Sequence, residues 1–315
     1  MLRQRLIIDT DCGSDDAMAI AMAFNDEAYE ILFFTICAGN VSAEQAAANT
    51  LTTIEKSGRY EPPVYMGVSL PLVRPLVCAH ETHGTDGMGD IGLVPSRLKT
   101  TPGNGIIKML EALEQEPDQS LEIVALGPLT NLAVAVRMAP KIMRRVKRIS
   151  IMGSAGLGTG NVTPVAEFNI WQDPEAAKIV LESGLPLMLV GWDACLDDAM
   201  LTASDIERIQ NSGDLGRFAI ECNRVLLEMN KDRFGVPCLD MADPAAMAAA
   251  LYPPCIDVCD AYYCSVDTSC GISAGAVHVD IYHFSGKEPN VLVCSRLKSD
   301  LFKQYLFRTL GAEET

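Results

Sequence analysis

Basic residues are scarce in this sequence. Its 315 residues hold 25 Lys and Arg against 41 Asp and Glu, a formal net charge of −16. So acidic a chain argues against nucleic acid and against an anionic membrane as partner, because phosphate binding needs clustered Lys and Arg. The one basic cluster, KIMRRVKR at Lys141–Arg148, reads as a solvated helix end leading into a strand. Long apolar runs are also missing: none approaches the roughly 18 residues a membrane span requires. The N-terminal MLRQRLIIDTD carries charge but no apolar core of a signal peptide. Histidine is rare, with four in all and no His–Glu pair at helical spacing, which disfavours a zinc enzyme. The eleven cysteines are odd in number and scattered through apolar segments. That usage predicts reduced thiols in a cytoplasmic protein. Cys255, Cys259, Cys264 and Cys270 lack a C-x2-C knuckle and are expected to be buried small hydrophobes.

What is there is a regular alternation. RLIID, EILFFTIC, VYMG, LEIVAL, VKRISIMG and LPLMLVGW read as strands, most of them followed by helical patterns such as DDAMAIAMAF and SAEQAAANTLTTIEKSG. Apolarity that is continuous rather than alternating marks strands covered on both faces. The expectation is an α/β fold with an open, mainly parallel central sheet and helices on both faces. YYCSVDTS, GAVHVDIY and PNVLVCSR predict antiparallel strands or a hairpin appended near the C-terminus, before a last helix from about Ser299. No repeat and no Ser- or Pro-rich linker interrupts the chain, so one domain over residues 1–315 is expected. Two segments, Pro71–Pro95 and Gly153–Pro164, resist assignment, and long irregular loops in such folds usually carry function.

The chemistry concentrates at residues 7–20, IIDTDCGSDDAMAI. Four carboxylates, Asp9, Asp11, Asp15 and Asp16, fall at the junction of the first strand and first helix, where open parallel sheets bind ligands. A helix N-terminus offsets about half a charge, which suffices for one Asp but not for four. A divalent cation is the expected neutraliser, and all-oxygen donors point to a hard ion, Ca²⁺ or Mg²⁺. Two chemistries place D-x-D here. In phosphoryl transfer of the haloacid-dehalogenase type, Asp9 is the nucleophile and Asp11 the acid. That pattern wants a hydroxyl residue where Gly13 stands, and it gives Asp15 and Asp16 no task.

The other is a resemblance. DTDCGSDDAMAI resembles the DTDPGxDDAxAI signature of the calcium-dependent inosine–uridine-preferring nucleoside hydrolases. Further stretches follow in family order: AGN (Ala38–Asn40), HGTDG (His83–Gly87), ALGPLTNLA (Ala125–Ala133), GNVTPVAEFNIWQDPEAA (Gly160–Ala177) and ADPAA (Ala242–Ala246). The resemblance implies that Asp11, Asp16, Asp243 and the Thr130 carbonyl hold Ca²⁺. It makes Asp11 also the general base for water and puts Asp9 behind the ligands. It places Asp15, Asn161, Glu167 and Asn169 on the ribose, with Asn40 a further contact, Met152 beneath the sugar and His83 on a first active-site lid. The substrate implied is a small-molecule ribonucleoside, cleaved for base salvage by a homo-oligomer, dimer or tetramer. Trp171 and Trp192 are each as consistent with packing as with stacking on a base.

The sequence departs from the family at its last motif. The best-known branch reads His-Asp-Pro, the His protonating the leaving base, and here the triplet is Ala242-Asp243-Pro244. Alanine cannot transfer a proton. Asp240, Arg233 and Cys238 are the candidate substitutes. A hydrolase favouring purine-like or modified bases is the first reading. A nucleoside- or ribose-binding protein that has lost turnover is the second, and a D-x-D phosphatase the third.

Overall fold

The computed structural model describes residues 3–312. Eight strands form the central sheet: β1 (Gln4–Thr10), β2 (Tyr29–Ile36), β3 (Val64–Met66), β4 (Leu121–Ala125), β5 (Arg148–Met152), β6 (Leu187–Val190), and, later in the chain, Ile256–Tyr262 and Val291–Leu297. Six run parallel in the order β3-β2-β1-β4-β5-β6, so the strand order reverses between β1 and β4. That reversal opens a crevice at the strands' carboxyl ends. Asp9 pairs in register with Thr35 on one side and Ala125 on the other, which sets the acidic motif at its mouth.

Helices cover both faces because the strands are apolar on both. One core gathers α1 (Ser14–Asn25), α2 (Ala43–Ser57) and the helices Ala242–Leu251 and Ser299–Thr309; the other gathers Gly105–Gln115, Thr130–Met138 and Pro174–Leu181. Helix α2 starts at Ser42, whose hydroxyl accepts the Gln45 N–H at 3.3 Å, and stops at Gly58 in the left-handed region, φ 62°. Residues 242–251, ADPAAMAAAL, are all buried and pack on α1, itself rich in Ala. Small side chains on both helices permit close approach. This brings Asp243, at the start of one helix, against Asp15 and Asp16 at the start of the other.

The C-terminal region differs in part from expectation. Val291–Leu297 pairs parallel with β6 and antiparallel with Ile256–Tyr262, which forms the sheet edge. The segments around Tyr263 and Val277 instead make a separate antiparallel ribbon, Cys264–Val266 with Val277–Val279. GAVHVDIY does not continue as a strand, because the Asp280 carboxylate accepts the N–H groups of Phe284 (2.7 Å) and Ser285 (2.8 Å) and turns the chain. Lys141–Arg148 ends a short helix and enters β5, with Arg148 paired to the buried Glu122 at 2.7 Å. Among the described residues no helix is long and apolar enough to cross a membrane.

Candidate active site

The floor of the crevice is built by the β1–α1 turn. Thr10, Asp11, Ser14 and Asp16 are fully buried and Asp15 nearly so. Asp16 reaches back to the start of its own helix: its Oδ2 accepts the Gly13 N–H at 2.8 Å, and its Oδ1 accepts the Thr10 hydroxyl. Asn40 holds two acids at once, donating its backbone N–H to Asp11 Oδ2 (2.6 Å) and its side-chain Nδ2 to Asp16 Oδ2 (3.2 Å). Asp9 lies behind them, accepting from Asn131 Nδ2 at 2.7 Å and from the Thr35 hydroxyl.

The carboxylate oxygens that all fall within 4.8 Å of one another belong to Asp15, Asp16 and Asp243. Asp11 stands outside that trio, drawn toward Asn40 and flanked by Gly39 and Gly127. Asp11 Oδ1, Asp15 Oδ1 and Asp9 Oδ2 are buried without a hydrogen-bond partner. Burial and then the mutual repulsion of the acids push the Asp11 and Asp243 carboxyls well above the usual range. Burial alone is the largest cause for Asp9 and Asp15, each raised to about 6. Orphaned oxygens among crowded carboxylates are the environment that a hard divalent cation relieves, so these residues fit Ca²⁺ or Mg²⁺. Thr130 begins a helix beside them, its hydroxyl donating to Asp173 Oδ2 at 2.7 Å.

Above the floor is a crevice of about 650 Å³, its open mouth included. Asp15, Asn40, His83, Met152, Asn161, Glu167, Asn169 and Asp243 line it, so eight of the eleven residues picked from sequence meet in one place. Asp11, Asp16 and Thr130 lie beneath. Glu167 caps the helix Phe168–Gln172, accepting the N–H groups of Asn169 (2.8 Å) and Ser154 (2.9 Å). Burial raises it to about 7. Ser154 reaches it from a left-handed conformation, φ 74°, an uncommon backbone for a non-glycine residue. Asn169 Nδ2 donates to the Leu126 carbonyl (2.6 Å) and meets Met152 Sδ at 3.3 Å, while Asn161 Oδ1 accepts the Phe168 N–H at 2.9 Å.

His83 sits in a one-turn helix, His80–His83, and is buried. The Ser14 N–H donates to its Nδ1 at 3.3 Å, with the Ser14 hydroxyl 2.8 Å away. An Nδ1 that accepts leaves the proton on Nε2, a neutral ring. Burial favours the same form and lowers the His83 pKa to about 4. Its segment is tied down rather than loose: Arg74 pairs with Glu175 at 3.1 Å, and Leu72 N–H donates to Asp173.

One wall of the crevice was less legible from sequence. Trp192, Leu226, Met229, Arg233, Asp240 and Ala242 line it. Trp192 Nε1 donates to Asp240 Oδ2 at 3.0 Å, and Asn230 Nδ2 donates to Asp240 Oδ1 at 2.5 Å. Trp171 instead lies outside, beside Val73–Val77 and against Gly275. Ser14, Asn131 and Asp173, which support the acids and loops, carried no signal beyond their place in the motifs.

A doubly wound sheet with a carboxylate floor and amide side chains at its switch point has the form of an α/β enzyme site. The chain belongs to the inosine–uridine preferring nucleoside hydrolase family, whose model matches residues 6–304. It is 34% identical over 290 residues to the pyrimidine-specific ribonucleoside hydrolase RihA of Salmonella agona, covering 91% of this chain and 92% of that one. Among solved structures it is similar to the plant nucleoside hydrolase PpNRh1, with TM-score 0.92, 30% identity and coverage of 99% and 100%. It is also similar to a purine-preferring ribonucleoside hydrolase from Gardnerella vaginalis, with TM-score 0.89, 26% identity and 98% of each chain covered. The fold and the family are those expected from the motifs.

Proposed function

We propose that this nucleoside hydrolase cleaves the N-glycosidic bond of ribonucleosides to ribose and free base, favours purine-like or modified bases, and uses Ca²⁺. Breaking that bond leaves the sugar close to an oxocarbenium ion while water attacks C1′. When bound, the cation would lower the pKa of that water and fix the 2′- and 3′-hydroxyls. Asp11, Asp16, Asp243 and the Thr130 carbonyl are the proposed ligands, with Asp15 close enough to share in either task. Asp11 is the proposed base, since its Oδ1 is buried without a hydrogen-bond partner and can accept the water's proton. Asn40, Asn161 and Asn169 offer amide groups to the ribose hydroxyls, and His83 offers Nε2–H. Glu167, ionised, would stabilise positive charge developing on the sugar.

The observation that carries the base preference is Ala242 on the crevice wall, where no proton can be supplied. Purines present N7, a basic atom that solvent can protonate, whereas uracil leaves poorly without an acid. Relatives of both preferences exist, so the test is direct. Release of reducing sugar from inosine, guanosine, uridine, cytidine and 2′-deoxyinosine should rank purine ribonucleosides first. The deoxy analogue should fall by roughly 10⁴-fold, because it leaves polar groups of the site unpaired. Uridine as best substrate would overturn the preference, and equal rates for inosine and its deoxy analogue would overturn the hydroxyl-binding model.

A further inference from the structure

We propose that the base end of this crevice is built for nucleosides whose base carries a fixed positive charge, an N-alkylated purine or pyridine ring. The inference rests on the reading above and names its substrate class. It begins with what the wall offers. Asp240 is buried, and both its oxygens accept N–H groups, from Trp192 and Asn230. Burial raises the Asp240 carboxyl, and these two donors oppose that rise by stabilising its ionised form. Trp192 presents an aromatic ring to the same space, and the Arg233 guanidinium stands 5.7 Å from its centroid. The ring therefore already takes a cation, and that cation is on an exposed side chain that can swing aside.

An aromatic face whose edge holds a carboxylate is the chemistry that recognises a flat cationic ring, the face taking the cation and the anion adding to its attraction. On this wall of the crevice Asp240 is the carboxylate and Arg233 the guanidinium beside it, while Asp15, Asp243 and Glu167 belong to the floor and the ribose end. His83 is neutral, as its Nδ1 accepts from Ser14.

The chemistry of departure gives the reason. When a neutral base leaves, the electron pair of the C1′–N bond makes it an anion unless a proton arrives. Ala242 brings none, and Asp240 repels the negative charge. When a cationic base leaves, the same pair neutralises the ring. Water's oxygen bonds C1′, its proton passes to Asp11 or solvent, and a neutral base departs. No acid is needed, so the 10²–10⁴-fold, about 3–5 kcal/mol, that a positioned acid supplies is not missed.

The test is kcat/KM for 7-methylguanosine relative to guanosine, in mildly acidic buffer where the methylated base is cationic. The intrinsic lability of the methylated nucleoside cancels when this ratio is compared between proteins. Asp240→Asn should lower the ratio about tenfold, and Arg233→Ala, which removes the competing cation from an exposed position, should raise it. A ratio within about twofold of wild type in Asp240→Asn overturns the inference. If that variant does not fold, a ratio unchanged or lowered in Arg233→Ala overturns it. Release of guanine from guanosine by the wild type keeps the two ideas apart: without it the hydrolase reading fails, and with it only the charge preference is at stake.

Discussion

Gly39 presses on the carboxylate of Asp11. A Cβ at Gly39 would lie 2.0 Å from Asp11 Oδ2, and one at Gly127 would lie 2.6 Å from Oδ1. The acid is held in a slot between the AGN and ALGP motifs, so those glycines are needed for approach rather than for turning. Gly39→Ala is expected to push the carboxylate off its place. Activity should fall by more than about 100-fold while stability drops by only ~1–3 kcal/mol, the usual range for overpacking. Paired measurements of kcat/KM and of the urea midpoint check this. A variant with near wild-type kcat/KM would show that the position of Asp11 is not critical.

The sheet, the floor and most of the crevice were legible in the sequence because their signals are local. Asp9 to Asp16 span one strand–helix turn, and Gly160 to Ala177 one loop, the helix Phe168–Gln172 and the start of the next, so short-range spacing sets much of their geometry. The wall facing Ala242 was not legible. Trp192 and Asp240 are 48 residues apart and Asn230 reaches the same carboxylate from a third element. Such a contact exists only once the helix Arg224–Phe234 has packed across the site. For the same reason the motif does not show that Asn40 binds both Asp11 and Asp16, or that Gly39 and Gly127 flank the Asp11 carboxylate. The ribbon Cys264–Val266 with Val277–Val279 falls in segments whose pattern predicts antiparallel strands or a hairpin, but its detachment from the main sheet has no sequence signature.

His83 makes stability depend on pH. Its folded pKa is near 4, below the usual 6.5 of an unfolded His, because burial disfavours the charged ring. Between those values the unfolded chain binds more protons, so the contribution is whole above about pH 6.5 and is lost as pH falls toward 4. From pH 7 to pH 5 the loss should be roughly 2 kcal/mol. The measurement is the unfolding free energy of wild type and His83→Gln at both values. Because the other carboxylates titrate in both proteins, the difference between them isolates His83. A difference constant within about 0.5 kcal/mol would mean that folding leaves the His83 pKa near its ordinary value.

Ala242→His restores the residue that the best-known branch of the family carries before its final Asp. Ala242 lines the crevice, its N–H donating to the Asp240 carbonyl at 3.0 Å, so a side chain there projects beside Trp192 and Asp240. Two effects oppose each other. An imidazole supplies a proton to a poor leaving group, up to 10²–10⁴-fold when well placed. Its bulk also fills space that a larger base would use, and overpacking beside Trp192 costs about 1–3 kcal/mol. Uridine gains from the first effect and is small enough to escape the second, whereas inosine, with its basic N7, needs the added acid less. The expected outcome is therefore a change in ratio: uridine kcat/KM should rise by about tenfold or more, with inosine unchanged or lower. The uridine rate should also acquire a new decline above the pKa of the added imidazole, since only its protonated form can donate. A uridine rate that stays at the wild-type level, in a variant that still cleaves inosine, would show that the residue at 242 does not control departure of the base.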